Sequence, residues 1–213
     1  MIKDSFHYHK LNQRCPNQNL GFEKKAINEY LNVKESYSQY DLCLYNLGLV
    51  YTSIDPIKSF DYLFQAYLMG EGNESTELLF NGVIKGIEDV ELSTKEVLIH
   101  KYLNKYSNIG ILYLLKGCYL ESKNGLHRES INSYNIALKH SPNLLMVHYY
   151  LADSYSMIGD KKMELTSINN AILYIGDSIA YNCRASIYYN EGKYQKAIDD
   201  YTRMIKIDGD SND

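Results

Sequence analysis

Glycine, alanine and tyrosine recur in this sequence at a nearly constant interval. Gly125 and Gly159 stand 34 residues apart, as do Ala137 and Ala171, while Gly159 and Gly192, like Tyr155 and Tyr188, stand 33 apart. Such a period constrains the fold strongly, because one repeat is too short to bury a core alone and must stack on its neighbours. Between the turn signals the apolar residues keep a helical period rather than strict alternation, so each repeat reads as two helices and no strand is required. In the last repeat, Ile179 to Asn190 is expected to form the first helix and Tyr194 to Ile207 the second. Gly192 lies between them, where a left-handed turn suits glycine. Ala185 and Ala197 let the two backbones approach closely, and Tyr181, Tyr188 and Tyr201 fill the space around that contact. The four-then-three spacing of Ala197, Tyr201 and Met204 is then one helical face docked on its neighbours.

Composition narrows the class. The chain has 213 residues, of which 45% are hydrophobic and 23% charged, the balance of an ordered soluble protein. Its formal charge of −4, with basic residues only in short pairs such as Lys24–Lys25 and Lys161–Lys162, argues against a nucleic-acid partner. No membrane association is expected, since the apolar stretch IGILYLL (109–115) falls far short of the ~20 residues a spanning helix needs. The opening residues MIKDSFHYHK lack the apolar centre of a secretory signal. Cys15, Cys43, Cys118 and Cys183 are isolated, which reads as four free thiols in a reducing, cytoplasmic setting. The sequon Asn73-Glu74-Ser75 matters only for an exported chain.

Catalytic signals are thin. His7 and His9 form an HYH pair near a polar terminus with no third ligand set by spacing, and His100, His127, His140 and His148 are scattered. Phosphate-binding loops, dinucleotide fingerprints, nucleophile elbows and HExxH are absent. The Asp199–Asp200 pair is expected on the solvated face of its helix. These features predict no enzyme, no metal site and no cofactor.

The segment YNCRASIYYNEGKYQKAIDDYTRMIKID resembles a tetratricopeptide repeat in Ala185, Tyr188, Gly192, Tyr194, Ala197 and Tyr201. It departs from that family at Met204, where alanine is usual, and at Gly209, where proline is usual; these loosen the last crossing and the exit turn. Residues 143–176 keep Leu151, Ala152, Tyr155, Gly159 and Ala171 but carry Glu164 where alanine is typical. Residues 108–142 keep Gly117, Ala137 and Pro142, with an extra residue near Gly125. Upstream, LYNLGLVY (44–51) and DPIKSFDYLFQAYLMGEG (55–72) resemble the related Sel1-like repeat in Leu47, Gly48, Tyr51, Lys58, Ser59, Ala66 and Gly70. Asp55–Pro56 reads as an N-cap followed by a first-turn proline.

The segment 74–107 is degenerate. Its expected helices are Ser75 to Gly86 and Lys95 to Tyr106, the second opened by a Ser93–Glu96 capping box. Residues 23–36 read as one more helix, the second half of an incomplete first repeat. The expected organisation is an N-terminal segment 1–39, repeat units 40–73, 74–107, 108–142, 143–176 and 177–210, and a tail 211–213. The resemblance implies an all-α fold, an α-solenoid of antiparallel helix hairpins wound into a right-handed superhelix.

What the resemblance implies for function is an interaction scaffold whose concave groove, lined by the first helix of each unit, binds a partner protein, peptide or helix. The family's groove positions fall here on Tyr45 and Asn46, on Leu79, on Leu114 and Cys118, on Tyr149, Tyr150 and Asp153, and on Asn182, Ser186, Tyr189 and Asn190. Amides can pair an exposed peptide backbone and tyrosines give contact area at little rotamer cost. With 22 tyrosines in the chain, most are expected to serve packing, and a one-residue register error turns a side chain ~100° around its helix. The family's carboxylate clamp, built from Lys, Asn and Arg, is replaced by Tyr149, Asp153 and Cys183, so a chaperone C-terminal tail is disfavoured. A regulatory or sensor subunit responding to a short peptide or small ligand, and an accessory domain of an enzyme complex, are the alternatives. The sequence stops at Asp213, about one turn after the last repeat helix. Its uncapped face, including Ile198 and Ile205, is expected either to be a tolerated end or to dock a second copy, a partner subunit or a further domain.

Overall fold

The computed structural model describes residues 20–33, 40–52, 54–70, 87 and 90–210. The expected helix Ser75 to Gly86, the sequon at 73–75, Leu79, the pair His7 and His9, Cys15 and the last residues of the expected 23–36 helix lie outside the described residues. The chain divides into two compact units, with the boundary between Glu91 and Leu92. Among the described residues the regular elements are all helices.

In the first unit α1 (Leu20–Leu31) packs on α2 (Tyr40–Tyr51), which forms a hairpin with α3 (Pro56–Gly70). Ala26 and Tyr30 of α1 meet Cys43 and Leu47 of α2 in one buried cluster. Asp55 opens α3 by accepting the Lys58 backbone N–H at 3.1 Å, and Pro56 takes the first helical position, where a missing N–H costs nothing. Phe60, Leu63, Phe64 and Ala66 of α3 are fully buried. Burying each of these larger side chains contributes about 1.5–3 kcal/mol.

The second unit runs α4 (Leu92–Lys105), α5 (Gly110–Asn124), α6 (His127–His140), α7 (Val147–Met157), α8 (Lys161–Tyr174), α9 (Ser178–Asn190) and α10 (Tyr194–Asp210). Within this unit consecutive helices from α4 to α10 pack on one another, the stacking of an α-solenoid. Three hairpins result: α5–α6, α7–α8 and α9–α10. Gly159 and Gly192 hold φ values of 77° and 73° in the last two turns. That left-handed conformation costs a side-chain-bearing residue about 1–2 kcal/mol, which is why the glycines keep the period.

Three expectations need correction. α4 begins at Leu92, so Ser93 lies inside the first turn and not at the N-cap, and Glu96 reaches across to Lys123 at 2.9 Å instead of back to Ser93. Gly209 makes no exit turn, because α10 continues through it to Asp210 with no proline to stop it. Asp200 is not on a solvated face: it is 5% exposed and receives both Nε and one terminal nitrogen of Arg184 at 2.8 Å. Asp199 does face solvent, where it accepts the Gln195 side-chain amide at 3.0 Å. No described helix is long and apolar enough to cross a membrane.

Candidate partner-binding face

The first helices of the three hairpins in the second unit, α5, α7 and α9, are linked by polar contacts. Glu121 of α5 accepts the Tyr134 hydroxyl at 3.0 Å and also the hydroxyl of Ser154 on α7, with His127 Nδ1 at 3.8 Å. Tyr134 is fully buried and its ring lies 5.6 Å from that of Tyr150. Burial pushes the Tyr134 hydroxyl far above the usual tyrosine range, and pushes the Cys118 thiol, 3.7 Å from that hydroxyl, up to about 11. Cys118 therefore remains a protonated, poorly nucleophilic thiol at neutral pH.

One layer further, the Tyr149 hydroxyl of α7 donates to Asp177, and the same carboxylate caps α9 by accepting the Ala180 N–H at 2.9 Å. Burial, together with the bond to that carboxylate, raises the Tyr149 pKa above the ordinary value. Tyr149 thus has its polar tip committed within the chain. Arg184 is committed too: besides Asp200, its third nitrogen donates to Asn169 at 2.8 Å, and its plane lies over the rings of Tyr181 and Tyr188.

Other groove candidates are open. Asp153, Asn182, Tyr189 and Asn190 are exposed, Tyr189 by 59%, with its ring edge-on to Tyr194 at 5.6 Å. Tyr150 is half-buried, as is Ser186, whose hydroxyl donates to the Asn182 carbonyl at 3.0 Å. Met157 is 63% exposed and was missed from sequence, although its place four residues after Asp153 and seven after Tyr150 puts all three on one side of α7. Leu114, by contrast, is fully buried.

In the first unit Tyr45 is half-buried, and burial raises its pKa. Asn46 is 8% exposed, and its side-chain nitrogen has no hydrogen-bond acceptor among the described residues.

Two open depressions flank α5. One, about 220 Å³, lies between α4 and α5 around the Glu96–Lys123 pair. The other, about 470 Å³, lies between α5 and α6 and has Lys116, Leu120 and Arg128 in its walls. Among the described residues, no three His, Cys, Asp or Glu side chains gather in a metal-binding arrangement.

Comparison with known proteins identifies one repeat directly: the tetratricopeptide repeat family model matches residues 178–211. No curated protein sequence matches the chain. Among solved structures, MamA is similar at 14% identity and a TM-score of 0.47, covering 92% of this chain and 98% of its own. TTC0263, a thermophilic TPR protein of Thermus thermophilus, is similar at 14% identity and a TM-score of 0.49, with coverages of 87% and 91%. The TPR2AB domain of yeast Sti1, solved with a pHSP90 partner, gives 15% identity and 0.44, with coverages of 89% and 86%. At such identities no partner transfers. The matched segment spans α9 and α10 from Ser178 onward, with Ala185 and Ala197 both buried. These two helices match the tetratricopeptide repeat, and in the second unit they follow two further stacked helix hairpins.

Proposed function

We propose that this chain is an interaction scaffold, in which the open face of α7 and α9 holds a peptide or helical segment of another protein. The observation that carries the reading is the run of exposed Asp153, Met157, Asn182, Tyr189 and Asn190 along two helices whose other faces are packed. Half-buried Tyr150 and Ser186 border that run. Amides to pair a backbone, a tyrosine and a flexible methionine for apolar contact, and one carboxylate suit a segment bound by shape and main-chain bonding.

Charge refines the partner. α7 contains no Lys or Arg, and the one in α9, Arg184, is held by Asp200 and Asn169. A neutral or basic segment therefore fits this face better than an acidic one or a free C-terminal carboxylate. Tyr149 contributes through Asp177 rather than by touching the partner; half-buried Tyr45 offers a corresponding place on α2 of the first unit, and buried Asn46 does not.

Photo-crosslinkers placed at Asn182 and at Tyr189 in cells should trap the same partner, and one placed at exposed Lys162 should not. The trapped species should disappear in an Asn182→Ala/Tyr189→Ala background probed from Asp153. Equal trapping from Lys162, or trapping indifferent to the double variant, would count against this face.

A further inference from the structure

Three successive second helices in this molecule carry the same outer pair of apolar residues. Aligned on Ala137, Ala171 and Met204, the pair is Ile131 and Leu138 in α6, Leu165 and Ile172 in α8, and Ile198 and Ile205 in α10. In α6, which packs on α7 as well as on α5, the pair is half-buried, and so it is in α8, which packs on α9 as well as on α7. In α10 the two isoleucines are 56% and 66% exposed, and Tyr194 extends the stripe at 60%. With half-buried Tyr201 these residues form one apolar line; the places of Ile198, Tyr201 and Ile205 are half-buried or buried apolar positions in the two preceding hairpins, whereas the place of Tyr194 holds His127 and exposed Lys161 there.

We propose that this face of α10 pairs with the same face of a second copy of the chain, antiparallel, about a two-fold axis between Asp199 and Asp200. The spacing itself is self-complementary. When the line Tyr194, Ile198, Tyr201, Ile205 is laid against its own reverse, Tyr194 meets the partner's Ile205 and Ile198 meets the partner's Tyr201. Every crossing then sets a ring against a branched aliphatic chain, as an isologous interface requires. No like charges meet at the axis: Asp200 is neutralised by Arg184, and Asp199 points more than ~90° away from the line and bonds Gln195. Antiparallel helices also oppose their dipoles favourably.

A single helix crossing buries less than the roughly 1,200 Å² of a stable interface, so the dimer forms reversibly with a Kd on the order of 10–100 µM. The inference does not depend on the reading of the α7–α9 face; of the two test positions Tyr194 lies edge-on to Tyr189 of that face, and Ile205 gives the independent arm. Sedimentation equilibrium of the full chain from about 5 to 500 µM should pass from a 24.6 kDa monomer toward twice that mass. Tyr194→Glu and Ile205→Lys both replace exposed side chains, so each variant should keep the parent's circular dichroism and melting curve while its self-association weakens at least tenfold. Mixed together, the two variants should recover a heterodimer at the parent's concentration range, because position 194 of one meets position 205 of the other. A chain that stays monomeric to 500 µM would overturn the proposal and leave the face to a helix of another protein. A dimer indifferent to both variants would overturn it as well, and weakening without recovery on mixing would overturn the antiparallel register.

Discussion

The hairpins α5–α6 and α9–α10 have the same architecture and close it by different chemistry. In α9–α10 the small residues Ala185 and Ala197 are both buried, and the two helices are fastened by the Arg184–Asp200 pair. In α5–α6 Gly117 lies where a Cβ would overlap the ring of Tyr134, and the hydroxyl of Ser130 shares its proton between the Gly117 carbonyl at 3.0 Å and the Leu126 carbonyl at 2.9 Å. The first unit repeats the second solution: Gly48 lies against Leu63, and Ser59 donates to the Gly48 carbonyl at 2.8 Å. The family pattern recognises the alanine version at 178–211. A glycine–serine crossing lets the backbones approach closely and adds a buried hydrogen bond beside the side-chain packing, so one architecture is closed by two kinds of small-residue contact.

The largest difference should come from adding one methyl group. Gly117→Ala should destabilise the protein by about 3 kcal/mol, because Tyr134 is fully buried and cannot retreat without breaking its bond to Glu121. The opposite change in the other hairpin, Ala185→Gly, should cost only about 1 kcal/mol of helix propensity plus a small cavity. Urea unfolding of the two variants measures the ratio directly. Equal losses would mean that the two crossings are equally tight.

Next in size is the Arg184–Asp200 ion pair of α9–α10. Asp200→Ala leaves Arg184 facing an empty place, and since Arg184 still reaches solvent the loss should be about 2–3 kcal/mol rather than the upper range for sealed pairs. Replacing both partners, as Arg184→Met with Asp200→Leu, should restore most of it. A double variant no better than Asp200→Ala alone would show that Arg184 acts mainly through its rings and Asn169. Smaller still, Ser130→Ala removes one buried hydrogen bond and should cost about 1 kcal/mol, seen as a shift in the urea midpoint with the slope unchanged.

What could be read in advance follows the same division. The turn glycines and the small residues at α9–α10 were legible because a left-handed φ and a close backbone approach each admit very few residue types. The helix hairpins were legible because their apolar period is local. Asp200 was not, since Asp199 and Asp200 look alike in sequence; the ~100° between neighbours on a helix decides which of them turns inward, and its cation comes from another helix. Tyr149 was placed on the right helix, but its hydroxyl partner, Asp177, lies 28 residues on. The Ser93 capping box failed for a local reason, because α4 starts upstream of it. The stripe on α10 could be read as apolar, whereas its contrast with α6 and α8 needed the exposures.

The smallest expected effect separates the layers by pH. His148 on α7 is 8% exposed, its ring stacked on Tyr174 at 5.6 Å, and burial lowers its pKa below the ordinary histidine value. The equivalent place in the next repeat, 33 residues on, holds Tyr181 instead of a histidine. Above about pH 6.5 His148 is neutral in both the folded and the unfolded chain and contributes no pH dependence. As pH falls below that value the unfolded chain takes up a proton that the folded chain refuses, so stability declines until pH passes the lowered folded value. The slope cannot exceed about 1.4 kcal/mol per pH unit for one group. His148→Phe keeps an aromatic ring over Tyr174 and should remove this part of the slope between pH 6.5 and 5, leaving stability at pH 7.5 within about 1 kcal/mol of the parent. Hydrogen exchange at pH 5.5 should show α7 and α8 opening more readily than α9 and α10 in the parent and not in the variant; an unchanged difference would assign the acid sensitivity to other groups.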